Sequence, residues 1–75
     1  MRELFLERFA DVIERANEIK MDDDFRNYKE WDSLASLSLV SMLDDEYEIN
    51  ISHTEFENLK TVKNLYDFIL AKSTK

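Results

Sequence analysis

Ser33 is the side chain whose type and setting point most clearly to chemistry. It follows Asp32 and precedes Leu34, where an amphipathic stretch begins. The start of a helix offers backbone N–H groups without partners and the positive end of a dipole, so a phosphate attached to a hydroxyl there is stabilised. Asp and Ser are also preferred N-caps, and the tripeptide alone carries only that plainer meaning. Other clusters are weaker. Asp22-Asp23-Asp24 lacks the Gly and the distal Glu of a calcium-binding loop. His53 stands near Glu55 and Glu57, but a lone His is more often a surface residue than a metal ligand. Carboxylates are plentiful, yet no pattern marks a cleft that would split their pKa values. No nucleophile–base pair is visible, so no catalytic residue is assigned and the chain reads as a non-enzyme.

Composition narrows the setting further. The 75 residues, expected to form one domain at 1–75, contain no Cys, no Gly and no Pro. Without Cys there is no disulfide scaffold, thiol nucleophile or thiolate zinc site. Without Gly there is no phosphate-cradling loop of the dinucleotide or P-loop kind, and primed hairpin turns are disfavoured. The net charge of −7 repels nucleic acid. The longest apolar run, Phe68 to Ala71, is four residues, far short of a membrane span. Met1-Arg2-Glu3 lacks the start of a signal peptide. A cytoplasmic, all-α domain is expected, with no contact to nucleic acid or membrane.

Periodicity predicts the elements that must position Ser33. Phe5, Phe9, Val12, Ile13 and Ala16 share one face of a first helix over about 2–16, with Asp11 and Arg15 paired one turn apart and Asn17 ending it. Residues 17–32 read as a long connection, whose Phe25, Tyr28 and Trp31 pack across the open end of the bundle. The second helix runs from Asp32-Ser33 to about Tyr47 and buries Leu37, Val40, Leu43 and Tyr47, helped by Leu34 and Leu39. Ser52-His53-Thr54-Glu55 has the capping-box spacing that starts a short third helix carrying Phe56 and Leu59. Thr61 caps the last helix, with Val62, Leu65, Phe68 and Ile69 inward and Lys72 near its C-terminal end. The expected fold is three main helices and one short one around a single core.

The charge is concentrated. From Glu30 to Leu59 there are eight acids and no Lys or Arg, whereas the other 45 residues carry nine acids and ten bases. A charge run is most often a solvated face, but one so long and one-signed favours a docking surface for basic partners.

Taken together, these residues resemble the acyl carrier protein family. The likeness rests on Asp32-Ser33-Leu34, the Leu37, Val40 and Leu43 stripe, Asp44-Asp45-Glu46-Tyr47-Glu48-Ile49-Asn50-Ile51 and Leu59-Lys60-Thr61-Val62, in register without a gap to Ile69. Phe25 matches the Phe of the family's long first loop. The resemblance implies a carrier that receives 4′-phosphopantetheine from coenzyme A on Ser33, through a phosphopantetheinyl transferase and a magnesium ion. The arm's terminal thiol would hold acyl or aminoacyl groups as thioesters, supplying the sulfur that this sequence lacks. By the same resemblance Asp32 and Leu34 belong to the motif, with Asp32 aiding the transferase. Asp44, Asp45 and Glu48 would pair with basic patches on acyl-loading and acyl-transferring enzymes. Leu43, Tyr47, Ile51 and Leu59 would line a cavity for the acyl chain, and the carrier would be a monomer.

The sequence departs from fatty-acid carriers at Glu30, where Gly is usual, at Trp31, and in the neutral turn of Ala35, Ser36, Ser38 and Ser41. It is more similar there to stand-alone carriers of specialised pathways. The alternative is an unmodified helical adaptor that binds basic proteins through its acidic face.

Overall fold

The computed structural model describes residues 2–73. It contains α1 (Arg2–Ile13), a 3₁₀ turn (Phe25–Asn27), α2 (Ser33–Tyr47), α3 (His53–Glu57) and α4 (Val62–Ser73). The described residues contain no regular strand, only an isolated bridge between Asp24 and Thr61. The all-α expectation holds, with three main helices and one short one.

Phe5, Phe9 and Ile13 form the buried stripe of α1. The helix stops three residues earlier than periodicity predicts. Glu14 takes the left-handed conformation at φ 57°, its N–H bonds Asp11 O at 3.2 Å, and Arg15 N–H bonds Ala10 O at 2.9 Å. These two bonds satisfy carbonyls that the helix end would otherwise leave open. Asn17 therefore does not end the helix, and Ala16 is exposed beyond it. Arg15 is freed from the helix surface, and its ion partner is Glu30 at 2.9 Å rather than Asp11.

The second helix runs between the expected limits but turns a different face inward. Ala35, Leu39, Met42 and Leu43 are its buried residues. Leu34 and Leu37 are 70% and 68% exposed, and Val40 and Tyr47 are half-buried. Leucines occur around most of this helix, so periodicity alone admits more than one stripe. Packing against α1 and the core selects the one that starts at Ala35, whose small side chain lets the helix approach closely.

The caps of the later helices follow the sequence. Ser52 Oγ accepts Glu55 N–H at 3.1 Å and Glu55 Oε1 accepts Ser52 N–H at 3.0 Å, so the capping box is complete. Thr61 Oγ1 accepts Asn64 N–H, and Asn64 Oδ1 accepts Thr61 N–H in return, both at 3.1 Å. Two further N–H groups at the start of α4 are taken by the long connection: Val62 bonds Asp23 O at 3.0 Å and Lys63 bonds Met21 O at 2.7 Å. The connection thus acts as a backbone cap for α4.

Phe5, Phe9, Phe25, Leu39, Leu43, Val62, Leu65 and Ile69 are fully buried. Rings fill the centre. Phe5 stacks on Phe9 with centroids 5.9 Å apart, and Phe9 meets Phe25 edge-on at 5.8 Å. Buried Phe56 and half-buried Trp31 complete the cluster, their centroids 6.1 Å apart. Such pairs add about 0.5–1.5 kcal/mol beyond area burial, which suits a domain of this size with no disulfide.

Candidate functional site

Asp32 is the N-cap of α2. Its backbone is extended at φ −149°, its Oδ1 accepts Ala35 N–H at 2.8 Å, and its carbonyl accepts Ser36 N–H at 2.9 Å. Ser33 is then the first helical residue and is exposed. The N–H groups of Ser33 and Leu34 have no protein partner among the described residues, so two donors remain at the dipole's positive end. That donor pair beside an exposed hydroxyl fits an esterified phosphate.

The preceding connection is held at several points, which fixes where the hydroxyl is presented. Phe25 is fully buried, and Trp31 packs edge-on against it at 4.9 Å. Trp31 N–H bonds Tyr28 O at 3.0 Å, closing the turn that leads into Asp32. The Arg15 guanidinium lies 3.9 Å from the centroid of the Tyr28 ring, and Tyr28 donates its hydroxyl to Asp23 Oδ2 at 2.6 Å. Arg26 crosses to α3, donating to Phe56 O at 2.6 Å and Leu59 O at 2.9 Å. The aromatic residues thus close the end of the bundle as the spacing predicts, and Trp31 is an anchor next to the motif.

Electrostatics at the connection follow from these contacts. The Tyr28 hydroxyl and the Lys20 N–H hold Asp23 below its ordinary pKa, while burial and the bond to Asp23 push Tyr28 upward. At Glu30, burial pulls upward, but its own backbone N–H and Arg15 outweigh it and the net shift is downward. Glu30, one of the positions at which the sequence departs from fatty-acid carriers, supplies the ion partner of Arg15 at 2.9 Å. No group of three or more potential metal ligands exists among the described residues. Asp24 Oδ1 is occupied by Arg26 N–H, and His53 pairs with Glu57 at 3.4 Å.

Asp44, Asp45 and Glu48 are all exposed at the C-terminal end of α2. No basic residue lies in that last turn. Acids at the negative end of a helix dipole are destabilising, so this segment is charged against its own local stability. Among the described residues, only Glu46 has a cation there, Arg8 at 3.1 Å. Leu43, Ile51 and Leu59 are buried within the packed core and Tyr47 is half-buried. None of the four lines either of the two hollows found beside α2. Both hollows lie between α1 and α2, one lined in part by Asp32 and Leu34, a location that spacing had no means of revealing.

Residues 3–69 match the family described as "Phosphopantetheine attachment site". The chain belongs to the acyl carrier protein family. It is 35% identical to the acyl carrier protein of Treponema pallidum, with 99% of this chain and 100% of the relative covered. It is 30% identical to that of Trieres chinensis over 80% of this chain and 75% of the relative. It is 40% identical to that of Exiguobacterium sibiricum over 71% and 67% of the two chains. The cofactor of this family is phosphopantetheine, and its members are carriers rather than enzymes. No described helix is long and apolar enough to cross a membrane.

Proposed function

We propose that Ser33 carries the phosphopantetheine arm and that the chain is a stand-alone carrier presenting acyl or aminoacyl thioesters to partner enzymes. The observation that carries this reading is the placement of an exposed Ser33 directly after a capped Asp32, with two N–H groups beside it that have no partner among the described residues. In the modification, Ser33 Oγ forms a bond to the phosphorus next to the pantetheine of coenzyme A. The bond from that phosphorus to the bridging oxygen breaks, releasing adenosine 3′,5′-bisphosphate, and the serine proton is lost to base. When bound, the arm supplies the thiol on which cargo is held.

The chain's own residues present and orient the arm. Asp32 fixes the helix start, and Ser33 and Leu34 N–H groups face the phosphate. Leu34 and Leu37 offer apolar contact beside the attachment point, while Asp44, Asp45 and Glu48 attract the basic patches of the transferase and of acyl-handling enzymes. Such exposed ion pairs are individually weak and salt-sensitive, so a complex that forms quickly also separates quickly.

Incubation with coenzyme A, magnesium and a broad-specificity phosphopantetheinyl transferase is expected to raise the intact mass by one phosphopantetheine. Ser33→Ala is expected to gain nothing. A parent chain that stays unmodified under several competent transferases contradicts the reading and leaves an adaptor that binds through its acidic face.

A further inference from the structure

We infer that α3 supports the attachment turn: Trp31 is a positioning residue that ties α3 to Asp32, and Arg26 is the clasp that keeps α3 in place. Release of α3 then withholds Ser33 from the transferase, a role that rests on Ser33 as the attachment point.

Alone, α3 has little to hold it. It has five residues and one buried side chain, Phe56, and a helix that short is not stable by itself in water. Its capping box and an exposed Lys72–Glu55 pair at 3.3 Å secure its start. From the long connection, Arg26 donates Nε–H to Leu59 O at 2.9 Å and Nη2–H to Phe56 O at 2.6 Å. These carbonyls lie at the C-terminal end of α3 and just beyond it, where partners are lacking and a cation is favoured. The same guanidinium stands 5.1 Å from the Phe25 ring centroid and 5.0 Å from that of Phe56. One side chain thus holds α3 by its backbone and by its buried ring.

Phe56 passes this hold to the attachment turn. Its ring centroid is 6.1 Å from that of Trp31, and Trp31 directly precedes the N-cap Asp32. Phe25 and Phe9, at 4.9 and 6.5 Å, are the other rings that Trp31 meets among the described residues. Loss of α3 takes one wall from the indole. The turn closed by Trp31 N–H on Tyr28 O then loses packing that sets its angle to α2. Opening five residues exposes far less apolar surface than global unfolding, so local opening reaches α3 well before the bundle. A transferase that requires the set turn meets only the closed fraction. Its KM for the chain therefore rises as that fraction falls, while kcat stays.

The test uses the full chain as substrate, with coenzyme A, magnesium and a broad-specificity phosphopantetheinyl transferase. The double variant Arg26→Gln, Ser52→Ala removes the clasp and half of the capping box. Cα chemical shifts of 53–57 read the helical fraction of α3, and emission of Trp31, the chain's one Trp, reads the turn. The expected result is a lower helical fraction, red-shifted emission, and unchanged kcat with a KM raised about threefold where the fraction falls to about a third. In a Trp31→Leu background the same double change is expected to leave KM where that background puts it. Ile69→Val, a change in the buried core of α4, is expected to lower the melting temperature without moving KM. Helical shifts that persist in the double variant overturn the clasp. A lost helix with KM and emission unchanged, or a KM rise that survives Trp31→Leu or appears equally in Ile69→Val, overturns the link through Trp31. A parent chain that gains no mass overturns the attachment reading instead.

Discussion

Asp32 caps α2 and, in the proposed modification, aids the transferase, and a pair of substitutions separates the two roles. As N-cap it satisfies Ala35 N–H, and removal of such a cap costs about 1 kcal/mol. Asp32→Ala is therefore expected to lower the melting temperature and slow modification, whereas Asp32→Asn keeps the cap and the melting temperature. Any loss of modification rate in Asp32→Asn then reports the carboxylate's part in transferase recognition. Two other residues carry backbone strain, because Glu14 and Glu48 occupy the left-handed region at φ 57° and 55°. That region costs an ordinary residue roughly 1–2 kcal/mol, and Asn tolerates it better. Glu14→Asn is expected to stabilise the chain by a few tenths to about 1 kcal/mol, checked by chemical denaturation. Neither strained position was legible beforehand, since a chain without Gly gives no marker for where a helix must turn back.

Among the elements, α2 shows most plainly what sequence reveals and what it withholds. Its limits were legible from Asp32 at one end and the acidic run at the other. Its orientation was not. Leu34 and Leu37 have the character of core residues, and only the packing of Ala35, Leu39, Met42 and Leu43 shows that they face solvent. The caps at Ser52 and Thr61 were legible because each is a local exchange of hydrogen bonds within four residues. The Arg15–Glu30 and Arg26–Leu59 contacts join residues 15 and 33 positions apart, and no local pattern encodes them. Asp44 stands against the dipole of α2, so Asp44→Asn is expected to raise stability by about 0.3–1 kcal/mol at low salt. The same change is expected to weaken binding to a basic partner enzyme, with titrations at two salt concentrations as the check. A variant that loses stability would contradict a docking role maintained at the expense of local stability.

At the scale of the whole molecule, a net charge of −7 opposes a compact state through self-repulsion. Asp23, Glu30 and Glu55 act in the other direction, each held below its ordinary pKa by hydrogen bonds that outweigh burial where it opposes them. Folding therefore favours their ionised forms. Their stabilisation is present above the ordinary carboxylate range and is lost as pH falls through the lowered values. Thermal melts are expected to be level or rising from pH 7 to about 5, as repulsion eases, and to fall steeply below about pH 4. Asp23→Asn is expected to flatten that acidic fall, because Tyr28 then bonds a neutral amide. The attachment site underlies the functional account, and fragmentation mass spectrometry of the transferase-treated chain tests it most directly. The phosphopantetheine is expected on Ser33 alone, and its appearance on Ser36, Ser38, Ser41 or Ser52 instead would contradict that assignment.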